Sequence, residues 1–248
     1  MIAWGATDRG MVRVQNQDAF ALDIDRKGER PPRPVALIVC DGMGGANAGN
    51  VASAIAVKAV NDTLSGLLKP HMNARQMSSA LEEAAVAANV AVCDHARQNS
   101  ECRGMGTTMV AAIAAEGLAV VANVGDSRAY KLNQDGITLV TRDHSIVNDL
   151  MEKGELTAAQ ARSHPRKNWI TRALGTDDTV QCDLFEIKLE AGEFLMLCSD
   201  GLTNMLSDQE LLYEIIHGGD HAGVCNRLIA AANERGGQDN ITVVLLSM

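Results

Sequence analysis

Residues 35–45 read VALIVCDGMGG, an apolar run that ends in an aspartate and a cluster of glycines. The run from Val35 to Cys40 is short and almost continuous, which predicts a buried β-strand. Asp41 follows directly, and the small residues beside it leave room for a bound ion. The stretch therefore supplies a strand and, at the end of that strand, a candidate metal ligand.

Three further aspartates repeat this arrangement. Asp126 and Asp200 follow the apolar runs 118–124 and 194–199, and Asp239 precedes the run 241–246. If these runs are neighbouring strands, the four carboxylates converge, and packed carboxylates repel one another unless cations lie between them. For any single position the alternative is an ordinary turn, because Asp and Gly both suit turns. Four such positions together predict a carboxylate cage for hard metal ions.

Length and composition limit the possible classes. The chain has 248 residues, is 46% hydrophobic and carries a net charge of −9, which predicts one domain over 1–248 with a large core. The negative charge argues against nucleic acid as a partner. A basic amino-terminal leader and an apolar stretch of roughly 18 residues are both missing, so we expect no membrane insertion. Six scattered cysteines indicate reduced thiols, and we expect a cytoplasmic monomer.

Periodicity gives a mixed pattern of helices and strands. Two helices are predicted after Gly49 and over 74–97, an exposed turn over 26–33, and short strands over 108–139 and after 180. The polar stretch 141–175 interrupts the strands for too long to be an ordinary connection. Insertions of this kind often carry function.

Seven short segments appear in order along the chain. They are TDRG at 7–10 with Arg13 and NQD at 16–18; DGMGG at 41–45 with Gly49 and AS at 52–53; GMGTT at 104–108; NVGDSRAY at 123–130; DHS at 143–145; SDG at 199–201; and GGQDNIT at 236–242. Together they resemble the metal-dependent protein phosphatase family, called PPM or type 2C, in its compact bacterial form. The resemblance implies an α+β fold, a four-layer α/β/β/α sandwich in which two antiparallel sheets pack face to face between helices.

The resemblance also implies roles for individual residues. Asp41 would bridge two Mn²⁺ or Mg²⁺ ions, the backbone carbonyl of Gly42 would complete one shell, and Asp200 and Asp239 would hold the other ion. Asp126 would bind a third ion together with Asp200, and Asp18 would act through metal-bound water. Arg13 would clamp the substrate phosphate, since a guanidinium can donate two parallel hydrogen bonds to phosphate oxygens.

Two positions depart from the family pattern. Gln17 stands where many members have Glu, which removes a negative charge and predicts weaker binding at that metal. Met43 stands where some members have a histidine that protonates the leaving oxygen, and a thioether cannot do so. A metal-bound water or His144 would then deliver the proton, although His144 also suits an ordinary position on the surface or at a helix start.

The stretch 141–175 corresponds to the flap beside the catalytic cleft in this family. Its cations, Arg162 and Arg166 with Lys167 and Arg172, are equally compatible with attraction of phosphorylated segments and with a solvated polar face.

The function implied is hydrolysis of phosphoserine and phosphothreonine on proteins, with a bacterial Ser/Thr kinase and its substrates as partners. A dedicated phosphatase of a regulatory partner, such as an anti-sigma antagonist, is the first alternative. A catalytically silent scaffold is the second. A cysteine nucleophile is disfavoured, because no cysteine is followed six residues later by an arginine.

Overall fold

The computed structural model describes residues 1–23, 34–44 and 48–248, without the side chains of residues 158 and 162. The turn predicted over 26–33 lies outside these residues. Within them the strands are β1 (Ile2–Asp8), β2 (Asp18–Asp23), β3 (Val35–Met43), β4 (Gly106–Thr107), β5 (Met109–Ala115), β6 (Leu118–Val124), β7 (Arg128–Asn133), β8 (Gly136–Leu139), β9 (Asp183–Lys188), β10 (Phe194–Cys198) and β11 (Ile241–Ser247). The helices are α1 (Gly49–Leu67), α2 (Ala74–Gln98), α3 (Ile146–Glu152), α4 (Ala158–Ser163), α5 (Asp200–Thr203), α6 (Asp208–His217) and α7 (Val224–Glu234), with short 3₁₀ turns at Ser100–Cys102 and His221–Gly223.

The strands form two antiparallel sheets. One has the order β1-β11-β10-β7-β8, and the other has the order β2-β3-β5-β6-β9, with β4 paired to β3. Every pairing is antiparallel. The chain passes from one sheet to the other between β6 and β7, so the loop that joins them lies where the two sheets meet.

Three apolar clusters separate four layers. One lies between α1, α2 and the β3 sheet, the second lies between the two sheets, and the third lies between the β10 sheet and α6 with α7. Strand β3 shows the pattern directly: Ala36, Ile38 and Cys40 face the helices, whereas Val35, Leu37 and Val39 face the other sheet. Alternate side chains of a strand point to opposite faces, so a strand buried on both faces reads as one continuous apolar run. The predicted four-layer sandwich is confirmed.

Helix α2 illustrates how local sequence sets a boundary. Asn73 and Gln76 form a reciprocal capping box at its amino end. The apolar face of the helix, which includes Met77, Leu81 and Val92, is fully buried. This face packs on the sheet rather than forming a surface for a partner.

The structure differs from the predicted elements at three places. Strand β3 continues two residues beyond Asp41, because Gly42 and Met43 pair with Thr107 and Gly106. The local sequence pattern predicts neither strand β1 as a separate element nor the short helix α5 at Asp200, and both are present. In the described part of the chain, no helix is long and apolar enough to cross a membrane.

Candidate active site

The antiparallel topology brings five aspartates to one end of the sheet pair. In the first sheet, β2 begins at Asp18, directly opposite Asp41 near the end of β3. Strand β6 runs in the same direction as β3, so Asp126, two residues after its end, lies at the same edge. In the other sheet Asp200 follows β10, and Asp239 precedes the antiparallel neighbour β11. The four aspartates predicted to converge, and Asp18 with them, therefore meet at one edge.

The pKa values of these carboxylates reflect a crowded, negatively charged site. Burial, followed by the charges of Asp18 and Asp200, raises the pKa of Asp41 well above its usual range. Burial is also the main cause for Asp200, Asp18 and Asp126, and it raises their pKa values to about 6, about 7 and about 8, respectively. Carboxylates in this condition are stabilised by a bound cation.

Two buried carboxylate oxygens have no hydrogen-bond donor in the described structure, namely Oδ1 of Asp18 and Oδ1 of Asp200. The second oxygen of each is held by the protein: Ser199 and Thr242 each donate to Asp18 Oδ2 at 2.7 Å, and Asn204 Nδ2 donates to Asp200 Oδ2 at 3.0 Å. Each carboxylate is thus fixed through one oxygen and leaves the other available. Such a donor set of oxygens suits Mg²⁺ or Mn²⁺.

No three of the described His, Cys, Asp or Glu side chains lie close enough together to form an ion's shell by themselves. Backbone oxygens and water would therefore have to supply further ligands, which is usual for Mg²⁺. Gly42 has no space for a side chain, because a Cβ there would lie 2.0 Å from the carbonyl oxygen of Gly49. The residues present fit hard ions that retain much of their water.

A network of hydroxyl groups, to which the sequence motifs assign no role, fixes Asp18. Ser199 lies at the end of β10 and Thr242 in β11, so both donors come from the sheet opposite β2. Thr242 also contacts the hydroxyl of Thr7 at 2.7 Å, and its backbone N–H donates to Ser199 Oγ. Polar residues inside otherwise apolar runs are the sequence signal that marks such buried partners.

Threonines secure Asp41 in a similar way. Thr108 Oγ1 accepts from the Asp41 N–H at 2.9 Å, and Thr107 Oγ1 donates to the Asp41 carbonyl at 2.8 Å. The backbone N–H of Thr108 donates to the same carbonyl. Asp41 consequently has a fixed backbone, and only its carboxylate can adjust to a ligand.

Arg13 lies on an exposed loop beside Asp239. Its Nη2 donates to Asp239 Oδ2 at 2.7 Å, and this hydrogen bond raises the pKa of the guanidinium. Asn240, which is buried, fastens the loop: its Nδ2 donates to the carbonyls of Arg9 and Gln15, and its Oδ1 accepts from the Gln17 N–H. The structure places a cation at the edge of the carboxylate group, as the sequence predicts.

His144 is buried, and both of its ring nitrogens face protein groups. Nδ1 accepts from the Gly125 N–H at 3.0 Å, so the neutral ring carries its proton on Nε2, which lies 3.2 Å from Asp183 Oδ2. Burial lowers the pKa of His144. This geometry favours a structural role, in which His144 holds the turn that carries Asp126, over delivery of a proton to a substrate.

The flap cations have separate partners. Arg172 pairs with Asp183 at 2.7 Å, and the guanidinium of Arg166 lies 4.9 Å from the centre of the Trp169 ring. Lys167 lines a cavity of about 110 Å³ together with Arg13 and Asp239. The side chain of Arg162 lies outside the described part of the structure.

The two departures from the family pattern also have local partners. The Gln17 side chain lies against Gly49, where a Cβ would come within 2.7 Å of its Nε2. The methyl group of Met43 lies beside Gly106, at 2.8 Å from a Cβ placed there. The absence of side chains at Gly49 and Gly106 makes room for both.

Comparison with known proteins gives consistent matches over nearly the whole chain. Residues 12–245 match the family model described as Protein phosphatase 2C. The serine/threonine phosphatase stp of Listeria innocua is 38% identical over 240 residues, which cover 97% of this chain and 93% of the relative. The crystal structure of the serine/threonine phosphatase Stp1 from Staphylococcus aureus superposes with a TM-score of 0.91 at 34% identity, over 99% of this chain and 94% of that one. The catalytic domain of the serine/threonine protein phosphatase PstP, solved with two manganese ions, superposes with a TM-score of 0.83 at 31% identity, over 98% of this chain and 96% of that one.

Proposed function

This chain belongs to the protein phosphatase 2C family of metal-dependent protein serine/threonine phosphatases, and we propose that its five-aspartate edge is the catalytic site. In this proposal Asp41, Asp200, Asp239 and the Gly42 carbonyl would hold two Mn²⁺ or Mg²⁺ ions. The observation that carries it is the pair of buried, donor-free oxygens on Asp18 and Asp200, within a group of carboxylates whose pKa values are raised. When bound, two such ions supply Lewis acidity that makes water a nucleophile at neutral pH.

Two further aspartates near the ions have separate roles in this proposal. Asp18, held by Ser199 and Thr242, would accept a hydrogen bond from a water of the metal shell and so orient it. Asp126 lies at the same edge and joins Asp200 in a third, weaker site. The charge of Asp200 already acts on Asp126, which supports their proximity.

Arg13 binds the phosphate of the substrate. If Asp239 held a metal ion, the guanidinium would be free to donate two hydrogen bonds to phosphoryl oxygens. The loop tolerates this exchange because Asn240 fixes its backbone independently of the Arg13 side chain.

The substrates are phosphorylated proteins, and we propose that they include a Ser/Thr kinase and the targets of that kinase. We further propose a monomer that acts in the cytoplasm, as one domain with residues 141–175 as its flap. All six cysteines are free, which supports a reducing compartment. The silent-scaffold alternative requires lost metal ligands, whereas Asp41, Asp200 and Asp239 are all present.

The test is Mn²⁺-dependent hydrolysis of a phosphothreonine peptide by the wild type and by Asp200→Asn. We expect the variant to lose at least about a hundredfold in kcat/KM, because it removes a ligand and a charge from the site. Asp135→Asn, at an exposed hairpin turn, is the matched control and should keep wild-type activity. Equal rates for the wild type and Asp200→Asn, or no hydrolysis by a wild type that binds Mn²⁺, would refute the proposal.

A further inference from the structure

The cavity beside Arg13 extends from the carboxylate edge to the flap. It measures about 110 Å³ and is lined by residues that include Arg13, Asp239, Asn204, Lys167 and Asn168. Asn204 is the residue that holds Asp200, so this cavity adjoins the catalytic group. A peptide whose phosphate reaches Arg13 must place its neighbouring residues in or beside this space.

The charges that line the cavity are not balanced. Three of the lining residues are charged, and Arg13 and Asp239 neutralise each other through their 2.7 Å ion pair. Lys167 has no ion-pair partner among the residues that the structure describes, and its side chain is exposed. One unpaired positive charge therefore faces the space in which a substrate's flanking residue would lie.

The fold holds Lys167 in this position. The loop that carries it makes successive turns, with the Lys167 N–H donating to the His164 carbonyl and the Trp169 N–H donating to the Arg166 carbonyl. A hydrogen bond from the Ile146 N–H to the Trp169 carbonyl ties the loop to the start of α3. The stacking of Arg166 on Trp169 keeps that neighbouring cation engaged elsewhere.

We propose that Lys167 is a specificity-determining residue, which selects phosphoproteins that carry a carboxylate side chain next to the phosphorylated residue. This inference rests on the proposed function and names the substrate class of the same site. In an acidic protein with a net charge of −9, an acidic substrate is repelled over most of the surface, so a local cation at the cleft has a large effect on which substrates bind.

The experiment uses pairs of phosphothreonine peptides that differ at one flanking position, which holds either Asp or Lys. For each pair kcat/KM is measured with Mn²⁺ for the wild type and for Lys167→Glu. We expect the wild type to prefer the Asp peptide in at least one pair, and Lys167→Glu to lower that Asp-to-Lys ratio by about tenfold or more, because reversal replaces an attraction by a repulsion. Lys167→Gln should give an intermediate ratio.

Lys153→Glu is the matched control. Lys153 belongs to the same insertion, at the end of α3, and is exposed, but it does not line the cavity. The same change of charge at Lys153 should leave the ratio within about twofold of the wild type, because exposed charges at a distance are screened by salt. Hydrolysis of para-nitrophenyl phosphate, which has no flanking residues, should fall less in Lys167→Glu than hydrolysis of the Asp peptide.

The outcomes separate the two proposals. If the wild type hydrolyses no peptide of any pair, the proposed function fails and this inference fails with it. If the peptides are hydrolysed but Lys167→Glu leaves every ratio unchanged, or changes it no more than Lys153→Glu does, only the role of Lys167 is overturned. An equal loss on para-nitrophenyl phosphate and on the Asp peptide would also overturn it, since Lys167 would then act on the phosphate itself.

Discussion

The aspartates at the edge of the sheets and the cations of the flap are two groups of charges that the fold treats in opposite ways. Like charges are gathered at the sheet edge, where burial raises the pKa of Asp18 to about 7 and of Asp126 to about 8. In the flap, opposite charges are matched: Arg172 pairs with Asp183, whose pKa is lowered despite its burial. Charges that the fold leaves unsatisfied need a ligand, whereas satisfied charges support the structure.

Lys167 differs from the ion-paired flap cations Arg142 and Arg172. It belongs by sequence to the group of matched cations but lines the cavity beside Arg13 without an ion-pair partner among the described residues. Whether a charged side chain has a partner in the folded structure therefore distinguishes functional from structural charges better than its position along the chain does. Substitutions in either group of charges test this distinction.

The largest effect is expected from Asp41→Asn. In the proposed site both ions would depend on the Asp41 carboxylate, so its loss should lower kcat/KM by about a thousandfold or more. The same change removes one of several repelling charges, so without metal the variant should be more stable than the wild type at pH 8, by about 1 kcal/mol. Activity assays with Mn²⁺ test the expected loss of activity, and thermal unfolding in EDTA tests the expected gain in stability. A variant that is both inactive and less stable would mean that Asp41 is a structural residue.

Metal binding should reverse the pH dependence of stability. The carboxylates with raised pKa values bind protons more tightly in the folded than in the unfolded state, so their contribution to stability is present near pH 4 and is lost as the pH rises through about 6 to about 8. Metal-free protein should therefore become less stable over this range. Mn²⁺ at a hundred times its Kd should restore about 2.7 kcal/mol. Unfolding by urea at several pH values, with EDTA or Mn²⁺, measures both trends, and stability that rises with pH in EDTA would contradict the crowding of charges.

Thr242→Val should weaken metal binding while the fold is retained. The substitution removes one of the two donors to Asp18 Oδ2 at almost constant volume, and a lost supporting hydrogen bond of this kind lowers metal affinity by about 10- to 100-fold. Thr7→Val is a suitable control, because Thr7 contacts Thr242 but not Asp18. Calorimetric titration with Mn²⁺ gives the affinities. Equal losses in the two variants would point to general damage of the β1–β11 pair.

The smallest effect is expected from His144→Asn. The amide oxygen can accept the Gly125 N–H in place of Nδ1, so we expect kcat to change by less than about threefold, whereas removal of a general acid costs about 10² or more. His144→Ala should destabilise the protein by about 1 to 3 kcal/mol, since it leaves the buried N–H without an acceptor. Measuring kcat over a range of pH, together with the free energy of unfolding of each variant, distinguishes a structural role of His144 from a role as proton donor. A hundredfold loss in a stable His144→Asn variant would restore His144 as the proton donor.

Much of the sheet edge could be predicted from local sequence. Apolar runs mark strands because burial imposes their pattern residue by residue, and an aspartate with a glycine marks where such a run ends. Strand β1 could not be predicted in this way, because its sequence IAWGATD mixes small and polar residues and its place depends on pairing with β11 along its whole length. Pairing across 235 residues, as between Thr7 and Thr242, leaves no local signal.

The sequence by itself determined which residues carry the charges: the four aspartates at the ends of apolar runs, the arginine before Asp18 and the cations of residues 141–175. Only the tertiary structure decided which of these charges are satisfied. It placed Ser199 and Thr242 against Asp18, Asp183 against Arg172, and Lys167 in the cavity beside Arg13. The physical reason is that a charge is present in any conformation, whereas its energy depends on the burial and the partners that the folded chain provides.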